Sequence, residues 1–172
     1  MIKKILVYCD GSAESYDVLM YSIILGKTLG SDLHLVYVVN LKLLEDLLRK
    51  RILVKSEELE YENDLEADAR KFIKFAARLA GEKGVALNSY YQKGNVNKIV
   101  LHKALEIGVD LIVVGPLKEF KSIKDVSYDE TALIVRRAPM PVLVVKEIEG
   151  MEDIFNTFGG KAGETISGDD NI

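Results

Sequence analysis

One cysteine, Cys9, stands alone in 172 residues, so the chain cannot close an intramolecular disulfide. Two histidines, His34 and His102, are all that could join it at a transition-metal centre, which leaves little ligand material for one. No apolar run approaches the roughly 18 residues of a membrane span. The start, Met1-Ile2-Lys3-Lys4, leads into a short strand pattern and not a secretory apolar region. A cytoplasmic protein without membrane association is therefore expected. Concentrated positive charge is also missing. Of the formal charge of −4, residues 147–172 contribute −6, with seven acids against Lys161, which leaves residues 1–146 at +2 with their lysines and arginines interleaved with acids. That balance lacks the electrostatic footprint of a nucleic-acid binder.

What is present is ordinary globular composition, 48% hydrophobic and 29% charged, in a length that suits one core. Four continuous apolar runs rich in Val, Ile and Leu recur at 5–8, 33–39, 111–114 and 142–145, with a weaker one at 85–92 that ends at Gly94. Continuous runs, unlike alternating ones, suit strands covered on both faces. Helical patterns lie between them, with Val18, Tyr21, Leu25 and Leu29 on one face of the first and Val96, Val100, Ala104 and Ile107 on one face of another. Such alternation predicts parallel βαβ units and hence an α/β, Rossmann-like, doubly wound sheet with helices on both faces.

Residues 31–80 contain neither glycine nor proline. The part from 41 to 80 reads as helix interrupted by the polar stretch 55–63, giving two helical pieces or a projecting arm, with Leu65, Phe72, Ile73, Ala76 and Leu79 as a core-facing stripe. Residues 41–63 are thus a helical insertion in a domain spanning 1–146. Within it, Leu43, Leu44, Leu47 and Leu48 with the basic run Arg49-Lys50-Arg51 offer a surface for a protein partner. Residues 147–172 form an acidic, glycine-rich tail in which only residues 151–155 could pack, and its last dozen residues are expected to be disordered.

Asp10-Gly11-Ser12 follows the first strand and Gly115 follows the fourth. In open α/β sheets, ligands sit beyond the carboxyl ends of strands where the strand order reverses, and these segments would flank such a point. Gly11 then permits a tight turn, and Ser12 caps a helix whose first turn holds Glu14 and Asp17. That leaves Asp10 free for a ligand. No catalytic set stands out. His34 reads as a packed strand residue, His102 as a solvated helix residue, and Cys9 as a small buried hydrophobe.

The chain resembles the universal stress protein family over residues 2 to about 146. The resemblance rests on Lys4-Ile5-Leu6-Val7-Tyr8-Cys9-Asp10-Gly11-Ser12, on Leu33-His34-Leu35-Val36-Tyr37-Val38-Val39, on Asp110 to Gly115, and on Ala138-Pro139-Met140-Pro141-Val142-Leu143-Val144-Val145, in that order. It implies a five-stranded parallel sheet of order 3-2-1-4-5, usually in a homodimer. The fifth strand (Val142, Leu143, Val144, Val145) would be an apolar edge suited to pairing across a two-fold axis. Members of the family divide into those that bind ATP and those that do not.

ATP-binding members resemble one another in carrying Gly, two residues, Gly, nine residues, Gly, then Ser or Thr. Counted from Gly115, this chain has Lys118, Tyr128 and Asp129 at the last three marks, and counting back from Ala138-Pro139 lands on Tyr128 again. Glycine at such marks lets backbone N–H groups approach phosphate. Tyr128 would fill the space, Pro116 lacks an N–H, and Asp129 with Glu130 would put negative charge at a helix N-terminus suited to anions. The adenosine half is better matched, with Asp10 at the adenine or ribose end, Val38 against the base, and Gly115 under the ribose and α-phosphate. The resemblance therefore implies a binding or regulatory protein with weak, altered or absent nucleotide binding, AMP or ATP being the ligands to try. The rival expectation is an ATP-binding switch or slow ATPase in which Lys118, Lys121 and Lys124 stand in for the glycines.

Overall fold

A computed structural model describes residues 1–118 and 129–159. In chain order the elements are β1 (Lys4–Cys9), α1 (Ala13–Leu29), β2 (Asp32–Asn40), α2 (Leu41–Arg49), α3 (Lys55–Glu82), β3 (Leu87–Gly94), α4 (Val96–Ile107), β4 (Leu111–Val114), α5 (Glu130–Arg137), β5 (Val142–Val144) and α6 (Met151–Thr157). The five strands form one parallel sheet of order β3-β2-β1-β4-β5. β1 lies at the centre, with Val7 level with Leu35 on one side and Val113 on the other.

Alternate residues of β1 and β2 point to opposite faces, so an apolar run fills two cores. Ile5, Val7, Cys9, Leu35 and Tyr37 meet α1, α3 and α6. Leu6, Tyr8, Val36 and Val38 meet α4 and α5 through Val96, Val100, Ala104 and Ile134. This is the doubly wound arrangement, and it explains why these strands are near-continuous apolar runs.

Three local expectations need correction. The polar stretch 55–63 does not interrupt the helix but forms the first turns of the 28-residue α3. A solvated helix needs no apolar face, and Glu62 and Glu66 are anchored by Lys93 at 3.8 and 3.4 Å. The break falls instead at 50–54, where Arg51 takes a positive φ of 55°. The stripe on α3 does reach the core, with Phe72, Ala76 and Leu79 buried and Leu65 and Ile73 packed at its margin. On α1 the buried arc is centred on Leu19, Ile23 and Gly26, while Leu29 is exposed, because α3 and α6 cover this helix as well as the sheet. β5 ends at Val144, and Val145 turns into the core at 4% exposure, so the strand edge is shorter than the apolar run.

Beyond residue 146 the chain returns to the α1 side. Met151 and Phe155 of α6 are buried there, and Lys83 fixes the segment by donating to the Phe158 carbonyl at 2.7 Å and lying 4.7 Å from the Phe155 ring centre. Burying one Phe contributes about 2 kcal/mol. The last dozen residues, expected to be disordered, lie outside the described residues.

Candidate functional site: a two-lobed cleft at the strand switch

The strand order reverses between β1 and β4, and the chain leaves both strands at the same end of the sheet. A cleft opens there in two lobes of about 210 and 250 Å³ that share Tyr8, Asp10, Lys118 and Thr131. Val38, Val39, Asn40, Leu43 and Tyr61 line the first lobe. Ser12, Glu14, Gly115 and Pro116 line the second. The structure thus brings Asp10, Ser12, Val38, Gly115, Lys118 and Asp129 around one cleft. Gly11 shapes its turn, and Tyr128, with Lys121 and Lys124, lies outside the described residues.

The turn after β1 is held by Asp10. Its Oδ1 accepts from the Ser12 N–H at 2.9 Å and from the Ser15 hydroxyl at 2.8 Å, and its carbonyl accepts from the Tyr37 hydroxyl at 3.0 Å. Gly11 has φ +81°, and an added Cβ would collide with the Tyr37 hydroxyl, so glycine is required twice over. Ser12 sits at the N-cap position of α1 without a side-chain cap bond, which corrects the capping role expected of it; the carboxylate two residues earlier does the local work. Asp17 also falls outside the first turn of α1, which holds Glu14 alone among acids. Asp10 is therefore employed by the fold, but its Oδ2 has no partner among the described residues. Gly115 has no positive φ, and a Cβ there would meet Val18 at an ordinary 3.5 Å, so backbone strain does not explain it.

Across the cleft, two carboxylates occupy helix N-termini. Asp129, 1% exposed, caps α5 by accepting from the Ala132 N–H at 3.1 Å, and its other oxygen accepts from the Lys118 N–H at 2.9 Å. Glu130 reaches sideways to α4, where one oxygen accepts from the Asn97 N–H at 2.9 Å and the Asn97 side-chain amide at 2.7 Å. Arg137 completes the link by donating to Asn97 Oδ1 at 3.2 Å. Helix N-termini carry a partial positive charge and free amides, and here the chain's own carboxylates take one amide at each, that of Ala132 in α5 and that of Asn97 in α4.

Sequence reasoning missed Tyr8, which faces both lobes, and Tyr37, whose ring floors the turn. Period-two alternation held the signal, since Tyr8 shares a face with Leu6 and is the polar tip of an otherwise aliphatic strand. Burial, and then the Asp10 carboxylate, push the Tyr8 phenol well above its ordinary pKa, so it stays a donor. The same two causes push Tyr37 up to about 12. Burial likewise raises the Cys9 thiol and keeps it protonated beneath α1. His34 is buried with Nδ1 3.2 Å from the Tyr90 hydroxyl, while His102 is exposed. Among the described residues, no group of three or more His, Cys, Asp or Glu is placed to hold a metal, and no helix is long and apolar enough to cross a membrane.

A five-stranded doubly wound parallel sheet with a cleft at its strand switch defines a class of Rossmann-like α/β domains. The family model described as the universal stress protein family matches residues 1–146, and the chain belongs to that family. Universal stress protein YxiE of Bacillus subtilis is 28% identical over 149 residues, covering 85% of this chain and all of that one. Among solved structures, the hypothetical protein MJ0577 superposes with a TM-score of 0.66 at 22% identity, covering 86% of this chain and 98% of its own. A universal stress protein in complex with cAMP gives 0.58 at 18% identity, covering 84% and 97%, and the universal stress protein of Archaeoglobus fulgidus in complex with dAMP gives 0.55 at 14%, covering 85% and 98%.

Proposed function

We propose that this universal stress protein is a binding and regulatory protein of the stress response, without a catalytic centre of its own. In this reading the cleft takes the adenosine part of a ligand and disfavours ATP. The observation that carries it is the pair Asp129 and Glu130, whose carboxylates hold the amides at the N-termini of α5 and α4. Those amides are what a polyphosphate would use. A phosphate brought to either helix would meet a buried carboxylate, and Lys118 stands where the nucleotide-binding pattern of the family has its second glycine. Relatives in complex with cAMP and dAMP support a mononucleotide-sized ligand.

Calorimetric titration with AMP and with Mg-ATP tests this. AMP is expected to bind and ATP to bind more weakly. Asp129→Ser, which keeps a capping oxygen and removes the charge, is expected to raise ATP affinity about tenfold, the effect of some 1.4 kcal/mol. ATP binding tighter than about 10 μM, roughly −7 kcal/mol, and unchanged in Asp129→Ser would sink the reading. A second reading, an ATP-dependent switch or slow ATPase using a lysine loop, is favoured by one observation: Lys118 lines both lobes. Phosphate release from ATP that is lost in Lys118→Ala would establish it.

We further read the protein as a cytoplasmic homodimer paired through β5, because Val142, Leu143 and Val144 are half-exposed beyond β4. Val144→Lys should then give a folded monomer, and an unchanged dimer by light scattering rejects the pairing. Exposed Leu43 and Ile52 beside Arg49, Lys50 and Arg51 supply a surface for a protein partner. Partner capture that survives Leu43→Glu with Ile52→Glu would remove that surface from consideration.

A further inference from the structure

The charges around the cleft are unbalanced. Among the described lining residues, Asp10, Glu14, Asp129 and Glu130 face a single cation, Lys118. Two of these acids, Asp129 and Glu130, are buried and fixed by hydrogen bonds, so neither can swing away from an incoming anion. Glu14 is exposed on the first turn of α1 at the rim of the second lobe, the lobe that continues past Gly115.

A second observation is independent of the acids. Tyr8 is 9% exposed, lines both lobes, and its hydroxyl has no hydrogen-bond partner among the described residues. That oxygen is also not sealed from solvent, since the Tyr91 hydroxyl is the one buried side-chain polar atom without a partner among the described residues. A phenol body held in the α4–α5 core therefore presents an unengaged hydroxyl at the junction of the two lobes. Its proton is retained, as argued above, and it offers a neutral hydrogen bond where one lobe passes into the next. A hydroxyl so placed suits a sugar oxygen, and it offers no compensation for a charge.

We propose that the cleft selects its ligand by charge: it takes a nucleoside whose 5′ substituent is uncharged or cationic, with Tyr8 as the residue that hydrogen-bonds the sugar. This rests on the reading that the cleft binds an adenosine moiety, and it goes further by ranking the uncharged nucleoside above even a monophosphate. Asp10 and Glu14 on the second lobe, with Asp129 and Glu130 on the adjoining first, repel a 5′-phosphate, which carries nearly two charges at neutral pH. At separations of several ångströms and an effective dielectric near 20, that repulsion is large enough to weaken binding about tenfold or more.

The test is calorimetric titration of the full chain with adenosine, with 5′-amino-5′-deoxyadenosine and with AMP, at low and at moderate salt. Adenosine is expected to bind about tenfold tighter than AMP, and the amino compound at least as tightly as adenosine. Salt should narrow the gap, because screening weakens repulsion at the exposed rim. Glu14→Gln, an exposed change that leaves the core untouched, should narrow it too by strengthening AMP alone. Tyr8→Phe should weaken adenosine and AMP together by about fivefold, the loss of one neutral hydrogen bond, with an unchanged circular dichroism spectrum. AMP binding as tightly as adenosine in the parent chain overturns the charge selection while leaving the adenosine reading intact. Failure of all three ligands to bind overturns the adenosine reading, and this proposal with it.

Discussion

The two walls of the cleft solve the same local problem in opposite ways. On the β1 side, the turn before α1 is closed by Asp10 and floored by Tyr37, and Asp10 and Tyr8 line the cavity. On the α5 side, Asp129 and Glu130 each take a helix N-terminal amide, that of Ala132 in α5 and that of Asn97 in α4. One wall keeps spare recognition capacity and the other has spent it on the fold. Under the function proposed above, the difference means that a switch-point cleft can keep a nucleoside end while its anion end becomes a structural joint.

The strongest way to break the comparison is Gly11→Ala. A side chain there requires a positive φ and displaces the Tyr37 hydroxyl from the Asp10 carbonyl, so a loss of about 3 kcal/mol is expected by chemical denaturation. A loss below about 1 kcal/mol would mean that the first wall is slack. Next comes Glu130→Ala, which removes the acceptor shared by the Asn97 backbone and side-chain amides. It should cost about 2 kcal/mol, and a neutral result would show that the α4–α5 joint carries no strain-bearing role. The smallest effect is a control on β2, on the partner strand of β3 and away from both walls. Burial, and secondarily Lys4, lowers the His34 pKa, so the folded chain resists a proton that the unfolded chain accepts. Stability is then complete above the ordinary value of about 6.5 and declines as pH falls below it. The melting temperature should drop modestly between about pH 7.5 and 5.5 in the parent and less in His34→Gln, and ligand affinity should follow neither.

The sheet was readable because β1, β2 and β4 are buried on both faces, a condition that favours near-continuous apolar runs. The location of the cleft followed from Asp10-Gly11-Ser12 and Gly115 at strand ends. What escaped was set by neighbours distant in sequence. The buried arc of α1 was mistaken because α6, more than a hundred residues later, covers a second side of that helix. The cap of α1 was assigned to Ser12 because a serine before a helix is the usual signal, whereas Asp10 reaches the Ser12 amide first. The break between α2 and α3 carries no glycine or proline; it rests on Arg51 in a left-handed conformation, which composition does not betray. Tyr8 was hidden in plain alternation, read as one more strand residue until the cleft gave its hydroxyl a direction.

The contact between Lys83 and the Phe158 carbonyl joins positions 75 residues apart, and α6 lies on helices made long before it. During synthesis, at roughly 5 to 20 residues per second, the sheet strands and both of those helices emerge while the flank of α1 that α6 will cover is still bare. The closing helix is thus a late seal on an early face. A chain halted before Phe155 would leave the apolar flank of α1 uncovered, so the core on that side is completed only when this short helix has been made.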